Sequence, residues 1–236
     1  MKPDERIIVA LDVGDEATAL NIVEELLPEV TQFKVGMELF YAAGADFLRR
    51  LHDEGARVFL DLKLHDIPNT VAGAARVLSG TGVWMTNLHA SGGPEMMKAA
   101  REALPDTRLL AVTVLTSLDQ QIADEFLGMR GDIQTTVVSW AKGAQDAGLD
   151  GVVCSPQEIE GVRDATGDDF LIVTPGIRPT WSVRADDQRR ITPPAVAISR
   201  GADYLVIGRP ITGAEDRTAA VRRIKDELEG VNRHEC

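Results

Sequence analysis

Asp61 and Lys63 stand two residues apart in the run Arg57-Val58-Phe59-Leu60-Asp61-Leu62-Lys63, and Asp66 follows three residues on. Side chains alternate along a strand, so here the two charges share one face while Leu60 and Leu62 share the other. Lys34 sits in a second β-rich run, Phe33-Lys34-Val35-Gly36, and Asp12 ends the first, Ile7-Ile8-Val9-Ala10-Leu11-Asp12. Asp12, Lys34, Asp61, Lys63 and Asp66 form a set of alternating sign. Such a set could serve proton transfer or the stabilisation of developing charge. The rival interpretation is a structural ion-pair network in which each charge offsets the burial cost of its neighbour. Such a network is often no better for stability than packed apolar side chains. Five charges converging from three consecutive strand ends therefore favour a reaction site.

Short β-rich runs alternate with amphipathic stretches along the whole chain. The spacing predicts strands over 7–12, 32–36, 57–63, 84–90, 109–115, 151–155, 171–177 and 204–209. Their starts are separated by 25, 25, 27, 25, 42, 20 and 33 residues, a βα repeat with one long insertion after the fifth strand. Helix punctuation fits between them. Asp15 precedes Leu20, Val23, Leu27 and Val30 at helical spacing. Pro68 and Pro94 occupy first-turn positions. Ser155-Pro156-Gln157-Glu158 reads as a capping box with a first-turn proline, and Thr192-Pro193 reads similarly. Gly55, Gly148 and Gly201 stop helices. Eight βα units without a linker predict an α/β protein, a (β/α)8 TIM barrel forming one domain over residues 1–236. A doubly wound open sheet is the runner-up, but the first strand is followed by Asp12-Val13-Gly14-Asp15 and no G-x-G-x-x-G. In a barrel the helices cover the outside, so the leucine face of the third strand points outward and Asp61 and Lys63 point into the mouth.

The 236 residues are 44% hydrophobic and 26% charged, close to the average of globular proteins, with a net charge of −12. The acidic balance offers no basic stripe for a nucleic acid. The longest strongly apolar run, 109–115, is far short of a membrane span, and the first apolar run is too short for a signal-peptide core. Two cysteines, one in an apolar run and one at the last position, predict no disulfide framework and a reduced, cytoplasmic setting.

The run Asp61-Leu62-Lys63-Leu64-His65-Asp66-Ile67-Pro68-Asn69-Thr70 resembles the signature of the orotidine 5′-phosphate decarboxylase family. The resemblance continues at Leu11-Asp12, Phe33-Lys34-Val35-Gly36, Leu88-His89-Ala90-Ser91-Gly92-Gly93 and Val114-Leu115-Thr116-Ser117. It extends through Thr174-Pro175-Gly176-Ile177-Arg178-Pro179, Asp186-Asp187-Gln188 and Ile207-Gly208-Arg209-Pro210. It implies decarboxylation of orotidine 5′-monophosphate to UMP with no metal and no organic cofactor. It also implies a homodimer with shared active sites, Asp66 and Thr70 reaching into the partner's. Loss of CO2 leaves a carbanion at C6 of the pyrimidine. Lys63 suits that demand, first as a cation near C6 and then as a general acid. Asp61 is assigned mainly to holding Lys63, with Lys34 and Asp66 completing the array. Lys34 and Asp12 would contact the ribose hydroxyls, and Thr116 the pyrimidine, with Ser117 as the alternative hydroxyl.

Barrels often bind phosphate in the loops after strands seven and eight, which here hold Arg178, Gln188, Gly208 and Arg209. Residues 175–191 lack clear periodicity and read as a lid over that phosphate. His65 and His89 do not have a metal-ligand spacing; His89, on the fourth strand with Asn87, reads as a satisfied polar residue near the mouth. Cys154, Met96 and Met97 read as core, and Trp181 as either functional or a chance exposed aromatic. Two alternatives share the barrel: a metal-dependent sugar-phosphate decarboxylase or aldolase, and a non-catalytic binder of phosphate ligands.

Overall fold

Alternation along the eight β-rich runs builds two apolar layers from one cylinder of strands. In the computed structural model, residues 1–129, 131–182 and 192–231 are described. The elements run α1 (Pro3–Arg6), β1 (Ile7–Leu11), α2 (Glu16–Leu26), β2 (Gln32–Gly36), α3 (Met37–Ala43), α4 (Ala45–Asp53) and β3 (Arg57–Leu64). They continue with α5 (Pro68–Ser79), β4 (Met85–His89), α6 (Pro94–Ala103), β5 (Arg108–Val112), α7 (Gln120–Glu125), α8 (Ile133–Asp146) and β6 (Gly151–Val153). The last are α9 (Ile159–Thr166), β7 (Leu171–Thr174), α10 (Pro194–Ser199), β8 (Tyr204–Ile207), α11 (Arg209–Thr212) and α12 (Arg217–Leu228). Each strand pairs in parallel with the next, and β8 pairs with β1 to close the barrel. The predicted (β/α)8 architecture is the one observed.

Ile7, Val9, Leu11, Phe33, Val35, Val58 and Leu60 face outward into a buried layer shared with the helices. The intervening residues face inward, where Ile8, Ala10, Phe59, Met85, Leu110, Val173, Tyr204 and Val206 fill the interior. The interior is therefore a packed plug, and the charged residues of β2 and β3 sit on top of it. Beneath the plug, the Trp84 indole packs edge-on to Tyr204 and carries the Arg57 and Arg108 guanidinium groups at 4.2 Å and 5.2 Å.

Several strands stop earlier than periodicity alone predicts. β5 ends at Val112 rather than at 115, and β7 at Thr174 rather than at 177. Their upper residues turn out of the ladder to line the mouth. The 155–158 segment is also a correction. It forms a turn in which the Gln157 N–H donates to Ser155 Oγ at 3.3 Å, and α9 starts only at Ile159. The Ser155 hydroxyl competes locally with the helix for that donor. Likewise α10 starts at Pro194 with Pro193 as its cap, one residue later than expected. Asp15 caps α2 as predicted, accepting from the Thr18 N–H at 2.9 Å.

The lower rim is pinned by a device used twice. Asp150, just before β6, accepts from the Leu109 N–H of β5 and pairs with Arg101 of α6, both at 2.7 Å. Asp203, just before β8, accepts from the Ile172 N–H of β7 at 2.8 Å and pairs with Arg163 of α9 at 2.7 Å. Arg163 also donates to the carbonyls of Gly167, Phe170 and Gly201. These pins fix the register of neighbouring strands at the end away from the charged cluster. Removing one partner of the buried Arg163–Asp203 pair leaves the other charge uncompensated, so Arg163→Ala should destabilise the fold by about 3–5 kcal/mol. Chemical denaturation of the two proteins measures this directly.

Candidate active site

The upper ends of β1, β2 and β3 bring four of the predicted charges together. Lys34 points inward from β2, and its Nζ lies 2.9 Å from Asp12 Oδ1 and 3.5 Å from Asp61 Oδ2. Asp61 Oδ1 is in turn 2.6 Å from Lys63 Nζ. The order Asp12–Lys34–Asp61–Lys63 is a chain of alternating charges. Asp61 and Lys34 are each only 9% exposed, which is why neither could be charged there alone. A Cβ on Gly36 would lie 3.2 Å from Lys34 Nζ, so the glycine keeps space beside the ammonium.

These residues border a cavity of about 220 Å³ in the barrel mouth. Lys34, Asp61 and Lys63 supply its charged side, while Phe59, Val112, Val153 and Val206 supply an apolar side. Thr116, in the turn after β5, lines it as well. Burial favours the neutral form of Asp61, but the ammonium groups of Lys34 and Lys63 and hydrogen bonds from Lys63 and Asn87 outweigh it. The Asp61 carboxyl is held below the usual carboxylate range. His89 moves down from the usual imidazole range because burial, His65 and Lys63 all disfavour its cation. Its ring centroid lies 5.3 Å from that of His65.

Asp66 and Thr70 are not in this cluster. Both are exposed, and Asp66 accepts from the adjacent Ile67 N–H at 2.7 Å. Arg178 follows β7, and its Nε is buried without a hydrogen-bond partner among the described residues. Gly208 follows β8, and a Cβ there would lie 3.4 Å from Asp12 Oδ2. Arg209 is exposed at the start of α11. Gln188 lies outside the described residues, as do positions 183–191 of the expected lid. Trp181, within the described part of that segment, is half-buried with the Arg223 guanidinium 4.7 Å from its ring, so it is a packed side chain and not a chance exposed aromatic. Cys154, Met96 and Met97 are buried as expected.

Sequence reasoning undervalued Asn87. Its Oδ1 accepts from the Lys63 backbone N–H at 2.8 Å, and its Nδ2 donates to Asp61 Oδ1 at 2.7 Å. Alternation places it on the inward face of β4, but its partners depend on an irregularity in β3 that no periodicity reveals.

The description “Orotidine 5'-phosphate decarboxylase / HUMPS family” matches residues 5–224. The chain belongs to this family. It is 51% identical to orotidine 5'-phosphate decarboxylase of Nitrosospira multiformis over 230 residues, covering 97% of this chain and 95% of that one. It is 53% identical to the Nitrosomonas europaea protein of the same name, covering 97% and 99% of the two chains. A crystal structure of orotidine 5'-phosphate decarboxylase from Lactobacillus acidophilus superposes with a TM-score of 0.86 at 41% identity, covering 96% of this chain and all of that one. The enzyme removes CO2 from orotidine 5′-monophosphate to leave UMP, a reaction of pyrimidine biosynthesis.

Because its folded-state pKa is depressed, Asp61 contributes stability above its unfolded-state value. That contribution is lost as pH falls through the lower folded value. Lys34→Ala removes one of the cations responsible and should raise the Asp61 pKa. Carboxyl-carbon NMR titration of the two proteins reads the shift, and an unchanged value would contradict the assigned cause.

Proposed function

We propose that Lys63 carries the decarboxylation, as the cation beside C6 and then as the acid that protonates it. The observation that supports this reading most is the Lys63 ammonium held 2.6 Å from Asp61 on the inner wall of the mouth. The C6–carboxylate bond breaks, its electron pair remains on C6, and CO2 leaves. Lys63 Nζ then gives a proton to C6, and solvent reprotonates the amine. A preorganised cation in a partly apolar pocket stabilises the carbanion without rearranging at the moment of reaction.

Asp61 holds the Lys63 ammonium in place. Its repulsion of the substrate carboxylate is a smaller contribution. Two like charges about 4 Å apart at an effective dielectric near 20 repel by about 4 kcal/mol, against the ~8–23 kcal/mol that enzymes supply. Lys34 and Asp12 are assigned to the ribose hydroxyls and Thr116 to the pyrimidine. The Gly208 N–H, Arg209, Arg178 and Gln188 are assigned to the phosphate, a planar guanidinium being suited to two phosphate oxygens at once. The reading uses no metal and no organic cofactor, and it places the enzyme in the cytoplasm.

The functional unit is a homodimer. Asp66, in the turn after β3, and Thr70, in the first turn of α5, are exposed and do not line the cavity, and Ile67 and Val77 of the same segment expose apolar side chains. A second copy covering that face would receive Asp66 in its own mouth and complete the alternating array.

Lys63→Ala should abolish turnover, followed by the ultraviolet change of the substrate, while UMP binding persists; unchanged turnover would remove the mechanism. Activity should be undiminished in excess EDTA, whereas dependence on Mg2+ would support the metal-dependent sugar-phosphate alternative. Arg209→Ala should lower kcat/KM far more for the nucleotide than for the phosphate-free nucleoside. If the sites are shared, mixing inactive Lys63→Ala and Asp66→Ala proteins should restore activity through hybrid dimers that contain one intact site.

A further inference from the structure

The β3–β4 ladder changes register beside the charged cluster. Leu60 lies opposite Thr86 and Leu64 opposite Leu88, so Asp61, Leu62 and Lys63 together oppose the single residue Asn87. Within this bulge Lys63 has a φ of +54°, the one non-glycine residue with positive φ among the described residues. A lysine in that region is strained, and strain of this kind persists only when the surroundings hold it. The bulge also takes the Lys63 N–H out of the ladder, where an unpaired buried donor would be costly.

Asn87 supplies what the ladder does not. It is 1% exposed, and both polar ends of its amide are engaged. The oxygen holds the Lys63 N–H at 2.8 Å and the nitrogen holds Asp61 Oδ1 at 2.7 Å, the same oxygen that meets Lys63 Nζ. One rigid planar group thus ties the backbone of the lysine to the carboxylate that its side chain must reach. An apolar residue would orphan the N–H, and an aspartate would set a second carboxylate against Asp61.

We infer that Asn87 is a positioning residue for the decarboxylation, a strut that holds Lys63 in its left-handed backbone conformation and Asp61 in the orientation that receives its ammonium. The inference rests on Lys63 being the proton donor. Thr86 provides the comparison. Its Oγ1 donates to the Leu60 carbonyl at 2.9 Å in the same bulge, and among the described residues it makes no hydrogen bond to Asp61 or Lys63.

The experiment compares kcat, UMP affinity and Tm for the whole enzyme and the variants Asn87→Ala, Asn87→Asp, Thr86→Val and Lys63→Ala. Asn87→Ala should lower kcat by about 10- to 100-fold, the scale of a displaced reacting group, with UMP affinity kept. Thr86→Val should lower Tm but leave kcat unchanged. In Asn87→Asp the new carboxyl faces Asp61, which is also faced by Lys34 from β2, Lys63 from β3 and His89 from β4, with Asp12 beyond Lys34. Once protonated, that carboxyl can donate to Asp61 as the amide does. The kcat of this variant relative to wild type should therefore rise as pH is lowered. Wild-type kcat in folded Asn87→Ala, or losses of kcat that merely track Tm in Asn87→Ala and Thr86→Val alike, would overturn the inference. If Asn87→Ala does not fold, a pH-independent kcat ratio for Asn87→Asp overturns it. Turnover surviving in Lys63→Ala would instead overturn the proton-donor reading beneath it.

Discussion

The Asp61 carboxylate sits between two ammonium groups at the rim of an apolar plug, and the rest of the site is arranged around that placement. A carboxylate almost out of contact with water is tolerable only if its charge is answered at close range. Lys34 answers from β2, Lys63 from its own strand, and the Asn87 amide from β4. Each cation would in turn be unfavourable in the mouth without an anion, and Asp12 meets that need for Lys34. The array is therefore interdependent, which keeps Lys63 in one place before any substrate arrives. Preorganisation of that kind is what lets an ammonium stabilise a carbanion rather than a shell of water.

The barrel makes this arrangement possible by separating tasks along its axis. Outward residues of each strand bind the helices, inward residues of the middle rows fill the plug, and charge is carried at the two ends, by Arg57 and Arg108 below and by Lys34, Asp61 and Lys63 above. A single irregularity adapts the regular scaffold to the chemistry. Extra residues in β3 bring two successive inward-facing charges within hydrogen-bond distance of one another, and side chains of β4 take over the hydrogen bonds that the ladder gives up.

Much of this was legible in the sequence. Short β-rich runs such as Ile7-Ile8-Val9-Ala10-Leu11 marked the eight strands, because a strand buried on both faces needs β-branched and aliphatic side chains. Asp61 and Lys63 could be placed in the mouth because the opposite face reads leucine. Strand ends were harder to place, since residues such as Thr113 and Val114 keep strand-like character after the ladder has ended. The turn at Ser155 was misread because a serine followed by proline can cap a helix or close a turn before one. Asn87 was undervalued for a deeper reason. Its importance lies in what it faces, which depends on a bulge in β3, and an apolar run does not show where a bulge falls.

The paired pins of the lower rim have a consequence for how such a protein can change. Asp150 and Asp203 secure alternate strands from below, at the opposite pole from the mouth. Substitutions among the upper loops therefore leave the foundations of the cylinder untouched. A lineage could remodel its rim, lengthening one loop or exchanging a phosphate contact, while the same aspartate–arginine clasps continue to guide the strands into alignment.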